Sequence, residues 1–244
     1  MTRHRFGLSF ERAIAELFIV VVGVLIALSA DSWLQARRDR ADEVDHLIAL
    51  RADIVESVHL LETANLVQDV QFASLTHLLE GDASRTPKDS VAAWINEGLY
   101  SIGGYAPRLS ALRDLEMSGE LQLIGSPELR RELANLRTAL ELLDTLQSDF
   151  TLSQQGLLDP FLTRETPLAE ALVTASELDV DLVNEIDIGW VSPPSRELQN
   201  LMVFKLELGQ LGRIRRTEVR QRLDRVLALV DARLSALGHA DSDG

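Results

Sequence analysis

The sequence has no cysteine and lacks the short motifs of several common enzyme classes. Without cysteine the chain forms no disulfide, carries no thiolate nucleophile and offers no thiolate ligand to zinc or an iron–sulfur cluster. It also contains no Walker loop, no G-x-G-x-x-G fingerprint and no G-x-S-x-G elbow, so the corresponding nucleotide-binding and hydrolase classes are not indicated. A cysteine-free chain suits either side of a membrane, so the compartment stays open.

The ionisable residues show no metal-binding or catalytic pattern. None of the five histidines has another at the i,i+4 spacing of a zinc helix, and His59 and His77 are roughly 27 Å apart along a helix. The run from Asp179 begins like a calcium loop, but Asn184 stands where that loop needs glycine and Trp190 where it needs glutamate. We interpret the run as a solvated acidic loop. A serine–histidine–acid arrangement stays open, but no pattern indicates it, so we expect no enzyme, no metal and no cofactor.

Negative charge dominates most of the chain. The 244 residues carry 24 Lys and Arg against 38 Asp and Glu, a formal net charge of −14. Residues 1–40 hold six arginines and four acids, or +2, so residues 41–244 carry −16. An acidic domain of this kind repels phosphate backbones, and we therefore expect no nucleic-acid partner.

A long hydrophobic run near the amino end predicts one membrane-spanning helix. Leu17 to Ala30 contains no charge, but fourteen residues rise only about 21 Å, against a hydrocarbon core of roughly 30 Å. We therefore extend the span to residues 13–34, preceded by a short basic tail at 1–12. Arg12 on one side, and Arg37 with Arg38 on the other, are suitable interfacial anchors. The membrane-anchor side chains are predicted to be Leu17, Phe18, Val21, Gly23, Ala27 and Trp33.

Two other interpretations of this run are open: a cleaved secretory signal, with a cleavage site near Ala27-Leu28-Ser29, and a helix buried in a protein core. We favour an uncleaved anchor in a bacterial inner membrane, with the amino terminus in the cytoplasm and the acidic domain in the periplasm. Glu16 is expected at the interface with no chemical role. Gly23 and Ala27 are four residues apart, a spacing that permits close packing of two spans but also occurs in apolar helices without it.

Residues 35–238 are predicted to form a bundle of three long helices with several short ones. The first continues from the span to about Glu80. The second begins at Pro127 behind an Ser126 N-cap, and leucines every seven residues give it an apolar seam. The third begins near Ser195, and Gly209 and Gly212 within it are expected either to permit close helix contact or to mark a bend. Short helices are expected around 90–101, before a Gly103-Gly104 turn, and from Pro107.

The stretch 159–195 holds four of the seven prolines and is predicted to be an irregular crossover, and 239–244 a flexible tail. The third helix carries the only strongly basic segment of the acidic domain. Arg213, Arg216 and Arg220, together with Trp190 of the crossover, are candidate residues for binding an acidic partner or anionic headgroups. The alternative is a solvated face in which these arginines pair with neighbouring acids such as Glu218 and Asp224.

Two segments resemble a bacterial family of single-span membrane proteins that has no assigned activity. The first runs from Glu16 through Gly23-Val24-Leu25-Ile26-Ala27-Leu28 to Asp31-Ser32-Trp33 and is similar to the span that typifies the family. The second, residues 118–130, is similar to its midpoint Ser-Gly and Leu-Arg motif. Together they cover about an eighth of the chain, and Ser29-Ala30 departs from the polar residues common in the family. The resemblance implies an anchor followed by a helical domain and supplies no activity.

Taken together, these features favour a membrane-anchored interaction or accessory protein, a scaffold or subunit of a larger membrane assembly. Its partners would be the lipid bilayer and either another protein or further copies of itself. The alternative is a membrane-tethered sensor domain that binds a small molecule between its helices and signals through a partner.

Overall fold

The computed structural model describes residues 7–81, 85–102, 106–165 and 194–239. Every regular element in these ranges is a helix, which confirms the predicted all-α class. In chain order the helices are α1 (Gly7–Glu80), α2 (Lys88–Trp94), α3 (Ser110–Ser118), α4 (Pro127–Ser153), α5 (Asp159–Glu165) and α6 (Arg196–Ala236). A π-helical turn, Ile95–Tyr100, extends α2, and a second, Gln154–Leu158, joins α4 to α5. A 3-10 turn, Glu120–Leu123, follows α3.

α1 is one unbroken helix of 74 residues that carries the hydrophobic run and continues into the folded domain. Between Gly23 and Gly81 the sequence has no glycine or proline, the residues that most readily interrupt a helix. The apolar part of α1 is long and apolar enough to cross a membrane, and the rest of the described chain leaves it uncovered. The helix already begins at Gly7, so the second half of the predicted tail 1–12 is helical.

The other two long helices begin where their capping residues predict. Ser126 Oγ accepts a hydrogen bond from the Leu129 amide at 3.2 Å, and Pro127 occupies the first position of α4. Ser195 Oγ accepts one from the Leu198 amide at 3.2 Å and caps α6 in the same way. α6 runs through Gly209 and Gly212 as one helix, and a Cβ on Gly209 would collide with Gln68 and Phe72 of α1, so the close helix contact is confirmed at Gly209.

The short helix predicted from Pro107 begins three residues later, at Ser110. Its start is set by α1, because Asp53 Oδ2 accepts hydrogen bonds from the Ala111 amide at 2.7 Å and from Ser110 Oγ at 2.9 Å. A carboxylate there satisfies amides that have no partner in the first turn of a helix. Because the cap comes from another helix, local sequence did not reveal the boundary.

The predicted crossover 159–195 is wrong in its first part, because α4 continues through a π-helical turn into α5. Pro160 lies in the first turn of α5, where a helix does not need the backbone amide hydrogen that proline lacks. The π-helical turn before it is wider and also needs no hydrogen bond from this position. Residues 166–193 of the predicted crossover lie outside the described residues, as do the Gly103-Gly104 turn and residues 240–244 of the predicted tail.

α6 packs antiparallel to α1 and against α4, and the buried apolar side chains form two clusters separated along the helices. The first, called the near cluster here, lies closer to the hydrophobic run and includes Leu47, Ile54, Leu115, Leu133, Leu136, Leu223 and Val226. The second, the far cluster, is built around the end of α1 and includes Leu75, Leu78, Ile95, Leu99, Leu162 and Met202.

We predict that truncating a near-cluster leucine lowers stability far more than truncating an exposed one on the same helix. Leu136 is fully buried in α4, so Leu136→Ala should lower the free energy of unfolding by about 2–5 kcal/mol, because it removes apolar contacts and leaves a cavity. Leu142 on α4 is 47% exposed, and Leu142→Ala should stay within about 0.5 kcal/mol. Denaturant unfolding of the detergent-solubilised chain, followed by circular dichroism, measures both; equal losses would contradict this packing.

Candidate functional site

The predicted membrane-anchor side chains project outward from α1 in every direction. Leu17, Phe18, Val21 and Trp33 are 46–67% exposed, and no heavy atom lies within 4 Å of the position that a Cβ on Gly23 would take. The guanidinium of Arg37 lies over the Trp33 ring at 5.8 Å from its centroid. A helix that is apolar on all sides and covered by nothing is unfavourable in water. The structure therefore brings the six residues onto one helix without gathering them onto one face.

Exposed apolar side chains continue along α1 beyond this run, and sequence reasoning missed them. Leu34, Ala41, Ile48 and Val55 stand seven residues apart and are all exposed, and we call them the α1 stripe. The buried side chains of the same helix mark its opposite side, which faces α6. The seven-residue spacing was available in the sequence, but the stronger periodicity of the buried leucines masked it.

The candidate arginines of α6 are directed toward α1 and are not simply exposed to solvent. Arg213 pairs with Asp69, and Arg220 Nη1 lies 2.5 Å from Glu62 Oε1, while its Nε lies 3.0 Å from Asp224 Oδ1. The pairing predicted as an alternative is thus present, but its main acids belong to α1. Trp190, grouped with these arginines, lies outside the described residues.

Arg216 is buried and unavailable to a partner on the surface of this domain, so its assignment as a candidate binding residue is wrong. Its side chain is 3% exposed, with Nε donating to Asn65 Oδ1 at 2.8 Å and Nη2 donating to Gln68. Burial, and secondarily the positive charge of Arg213, lowers the pKa of Arg216. A buried guanidinium needs acceptors for its donors, and the two amide side chains accept hydrogen bonds from two of its five N–H groups.

Arg216 belongs to a polar layer that separates the near and far clusters. Gly209 and Gly212 of α6 border it, and a Cβ on Gly209 would collide with Gln68 and Phe72 of α1. A cavity of about 20 Å³ beside these glycines has room for roughly one water molecule, far less than a metabolite needs. The polar layer is formed by Asn65, Gln68, Gln71, Ser74, Glu97, Gln154, Lys205 and Arg216.

Lys205 is the most enclosed charge of the polar layer, at 2% exposure. Its ammonium donates to the carbonyl oxygens of Leu99 at 2.5 Å and Ser101 at 3.0 Å, and to Gln154 Oε1 at 2.9 Å. All three of its hydrogens are therefore used. Burial lowers the pKa of Lys205 to about 7, opposed by the negative charge of Asp159. This lysine ties α6 to the π-helical turns after α2 and α4.

A second buried charge fixes α1 just beyond the hydrophobic run. Glu43 is 4% exposed, and its carboxylate accepts two hydrogen bonds from Arg233 of α6, each 2.8 Å, and one from the Gly125 amide at 2.7 Å. Burial by itself raises the pKa of Glu43, but the hydrogen bonds from Arg233 and Gly125 outweigh it and hold the pKa of that carboxyl below its usual value. A Cβ at position 125 would collide with Arg233, so only glycine allows this approach.

An open cleft of about 980 Å³ lies between residues 106–117 and α4. Its walls carry charges of both signs, among them Arg108, Arg113, Asp114, Arg137 and Glu141. Within the described residues, no three histidine or carboxylate side chains come together in a group that could hold a metal ion. Apolar side chains such as Leu112 and Met117 also line the cleft, so its surface is mixed in character.

Comparison of the chain with family models, with curated proteins and with solved structures yields no match. The resemblance of the span and of residues 118–130 to single-span bacterial proteins therefore stays a prediction.

We predict that the stability of the domain rises between pH 7 and pH 10.5 because of Lys205. Its pKa is about 7 in the folded state and 10.5 for an ordinary lysine, so the unfolded state binds more protons across this window. The destabilisation from burying the charged ammonium is fully present below pH 7 and is gone above pH 10.5. Between these values the free energy of unfolding rises by at most about 1.4 kcal/mol per pH unit.

Lys205→Met should remove this rise, because no charge is left to titrate. Gln154 Nε2 and Gln71 Nε2 still donate to the Leu99 and Ser101 carbonyls, so these acceptors stay satisfied. Lys205→Arg is the control, since a guanidinium stays protonated throughout the window and should also give a flat profile. Denaturant unfolding at several pH values measures the effect, and parallel profiles for wild type and Lys205→Met would contradict it.

We predict that Glu43→Gln lowers stability at neutral pH by about 1–3 kcal/mol, because Arg233 and the Gly125 amide lose a charged acceptor. The stabilisation from Glu43 is present above the ordinary carboxyl pKa of 4.5 and is lost as the pH falls through its lower folded-state pKa. Glu141→Gln is the matched control: its pair with Arg137 is exposed, so the change should stay within about 0.5 kcal/mol. Urea titration at pH 7 compares the two variants, and equal losses of stability would contradict the stabilising role of the Glu43–Arg233 pair.

Proposed function

We propose that this protein is a membrane-anchored helical interaction or accessory protein, a scaffold or subunit of a larger membrane assembly. The observation that carries the proposal is α1, in which a fully exposed apolar run continues without a break into a folded domain. Such a run is stable in the hydrocarbon of a bilayer, where a helix satisfies all its backbone hydrogen bonds internally. The remainder of α1 then holds the domain beside the membrane.

The proposed location is a bacterial inner membrane crossed once, with the amino terminus in the cytoplasm and residues 35–238 in the periplasm. Basic residues prefer the cytoplasmic side, and Arg3, Arg5 and Arg12 lie before the span. Arg37, Arg38 and Arg40 lie after it, so the charge bias behind this orientation is small. Trp33 and Arg37, which stack on one another, would lie at the opposite interface. The role is non-enzymatic in this proposal, with lipid and a protein as partners.

A specific observation favours a second candidate, a tethered sensor that binds a small molecule. The open cleft beside α4 presents both cationic and anionic side chains, as a binding site for a zwitterionic or polar metabolite would. In this candidate function the domain would signal through a partner. A thermal-shift screen of polar metabolites tests it: concentration-dependent stabilisation that Arg137→Ala abolishes would favour the sensor over the scaffold.

We predict that the wild-type chain stays in the membrane pellet after an alkaline carbonate wash and that charges in the span release it. Val21→Asp with Leu25→Asp should prevent insertion, since each acid at the centre of a span costs about 2.5–3.5 kcal/mol. The matched control is Leu60→Asp with Leu66→Asp, which adds the same charges to exposed positions of α1 beyond the span. The control should remain in the pellet. Recovery of the wild type in the soluble fraction, or without its first thirty or so residues by mass spectrometry, would contradict the proposal.

A further inference from the structure

The α1 stripe forms one column with residues of the hydrophobic run. Steps of seven residues lead from Val20 and Ala27 through Leu34, Ala41 and Ile48 to Val55, and all of these side chains are exposed. A seven-residue apolar repeat drifts by about 20° per repeat around a straight helix, which a partner helix follows by a left-handed supercoil. The column therefore has the geometry of one position of a coiled-coil heptad.

The domain leaves this column open for a second helix. The side chains of α1 that pack in the near cluster, where α1 contacts α3 and α6, include Leu47, Leu50 and Ile54, which point away from the column. Taking the column as heptad position d, position a holds Arg38, Asp45, Ala52 and His59. Three of those four are polar, so this seam alone is weak. A partner that shares the same membrane gains from a high effective concentration and a fixed orientation.

The charges flanking the column identify a second copy of this chain as the occupant. In a parallel pair, position g of one helix faces position e five residues later in the other. Position g holds Arg37, Val44 and Arg51, and position e holds Asp42, Ala49 and Glu56. Parallel pairing therefore sets Arg37 against Asp42 and Arg51 against Glu56 of the second copy. Val44, the g position between them, is buried in the near cluster and does not face the second copy. Arg51 keeps its exposed ion pair with Asp231 and can share its charge.

We propose that two copies of this chain associate in parallel and in register through the column from Val20 to Val55. Gly23 lies one turn from Val20 and Ala27, with open space where a Cβ would be, so the two spans can approach closely there. The inference rests on the proposed membrane anchoring, because the anchor enforces the parallel orientation. It goes further by naming the partner and the contact residues.

Cysteine cross-linking tests the proposal directly, because the chain has no native cysteine. Ala41→Cys and Ile48→Cys lie on the column, and Leu60→Cys and Val67→Cys are exposed controls on the same helix, about 100–120° around it from Ile48. The full-length variants are oxidised in native membranes and separated on non-reducing gels. The column variants should form about tenfold more dimer than the controls, because a disulfide needs Cα atoms within roughly 7 Å.

A charge exchange in the Ile48→Cys background gives a second readout. Arg37→Asp places two acids opposite each other at both copies of the contact between positions 37 and 42, and it should lower cross-linking at position 48 severalfold. Arg37→Asp with Asp42→Arg restores opposite charges and should recover it. A single variant that lowers cross-linking without recovery in the double variant would overturn the parallel register.

The membrane fraction of each preparation separates failure of this inference from failure of the proposed function. Equal cross-linking at positions 48 and 60, or none at either, in protein that stays in the carbonate-washed pellet overturns self-association and leaves the anchor standing. Recovery of all variants in the soluble fraction overturns the proposed function itself.

Discussion

The continuity of α1 is the constraint on which the remaining arrangement depends. A helix without glycine or proline between Gly23 and Gly81 joins the apolar run to the domain without a hinge. α2, α3 and α6 all pack against that rod. Asp53 sets the start of α3, Glu43 holds the end of α6 and the turn before α4, and a ladder of arginine–acid pairs aligns α6 antiparallel to α1.

The polar layer explains why the domain has two apolar clusters and not one. Lys205 and Arg216 come from α6 and insert between them, where amide side chains and backbone carbonyls accept hydrogen bonds from both cations. Replacing such a layer with apolar side chains often preserves or raises stability, so its contribution is better described as specifying alignment. A shift of α6 by one turn would leave both cations without acceptors, so the layer selects one register of α6 on α1.

Local signals in the sequence predicted the elements, and nonlocal contacts account for what they missed. The caps at Ser126 and Ser195 are decided within one helical turn, and both helices begin where the sequence predicts. Arg216 was assigned to a surface because its neighbours are charged, but whether an arginine is buried depends on Asn65 and Gln68, about 150 residues earlier. The Lys205 site was missed for the same reason: its acceptors lie on two π-helical turns that no composition rule indicates.

The length of α1 also makes it a lever. Leu75, in the far cluster, lies 41 residues beyond Leu34, which corresponds to about 62 Å along the helix axis. With no hinge between them, tilting the apolar run by about 10° would sweep the far cluster sideways by about 11 Å. A small change in the tilt of the apolar run therefore produces a larger displacement of the far cluster, in proportion to the length of helix between them.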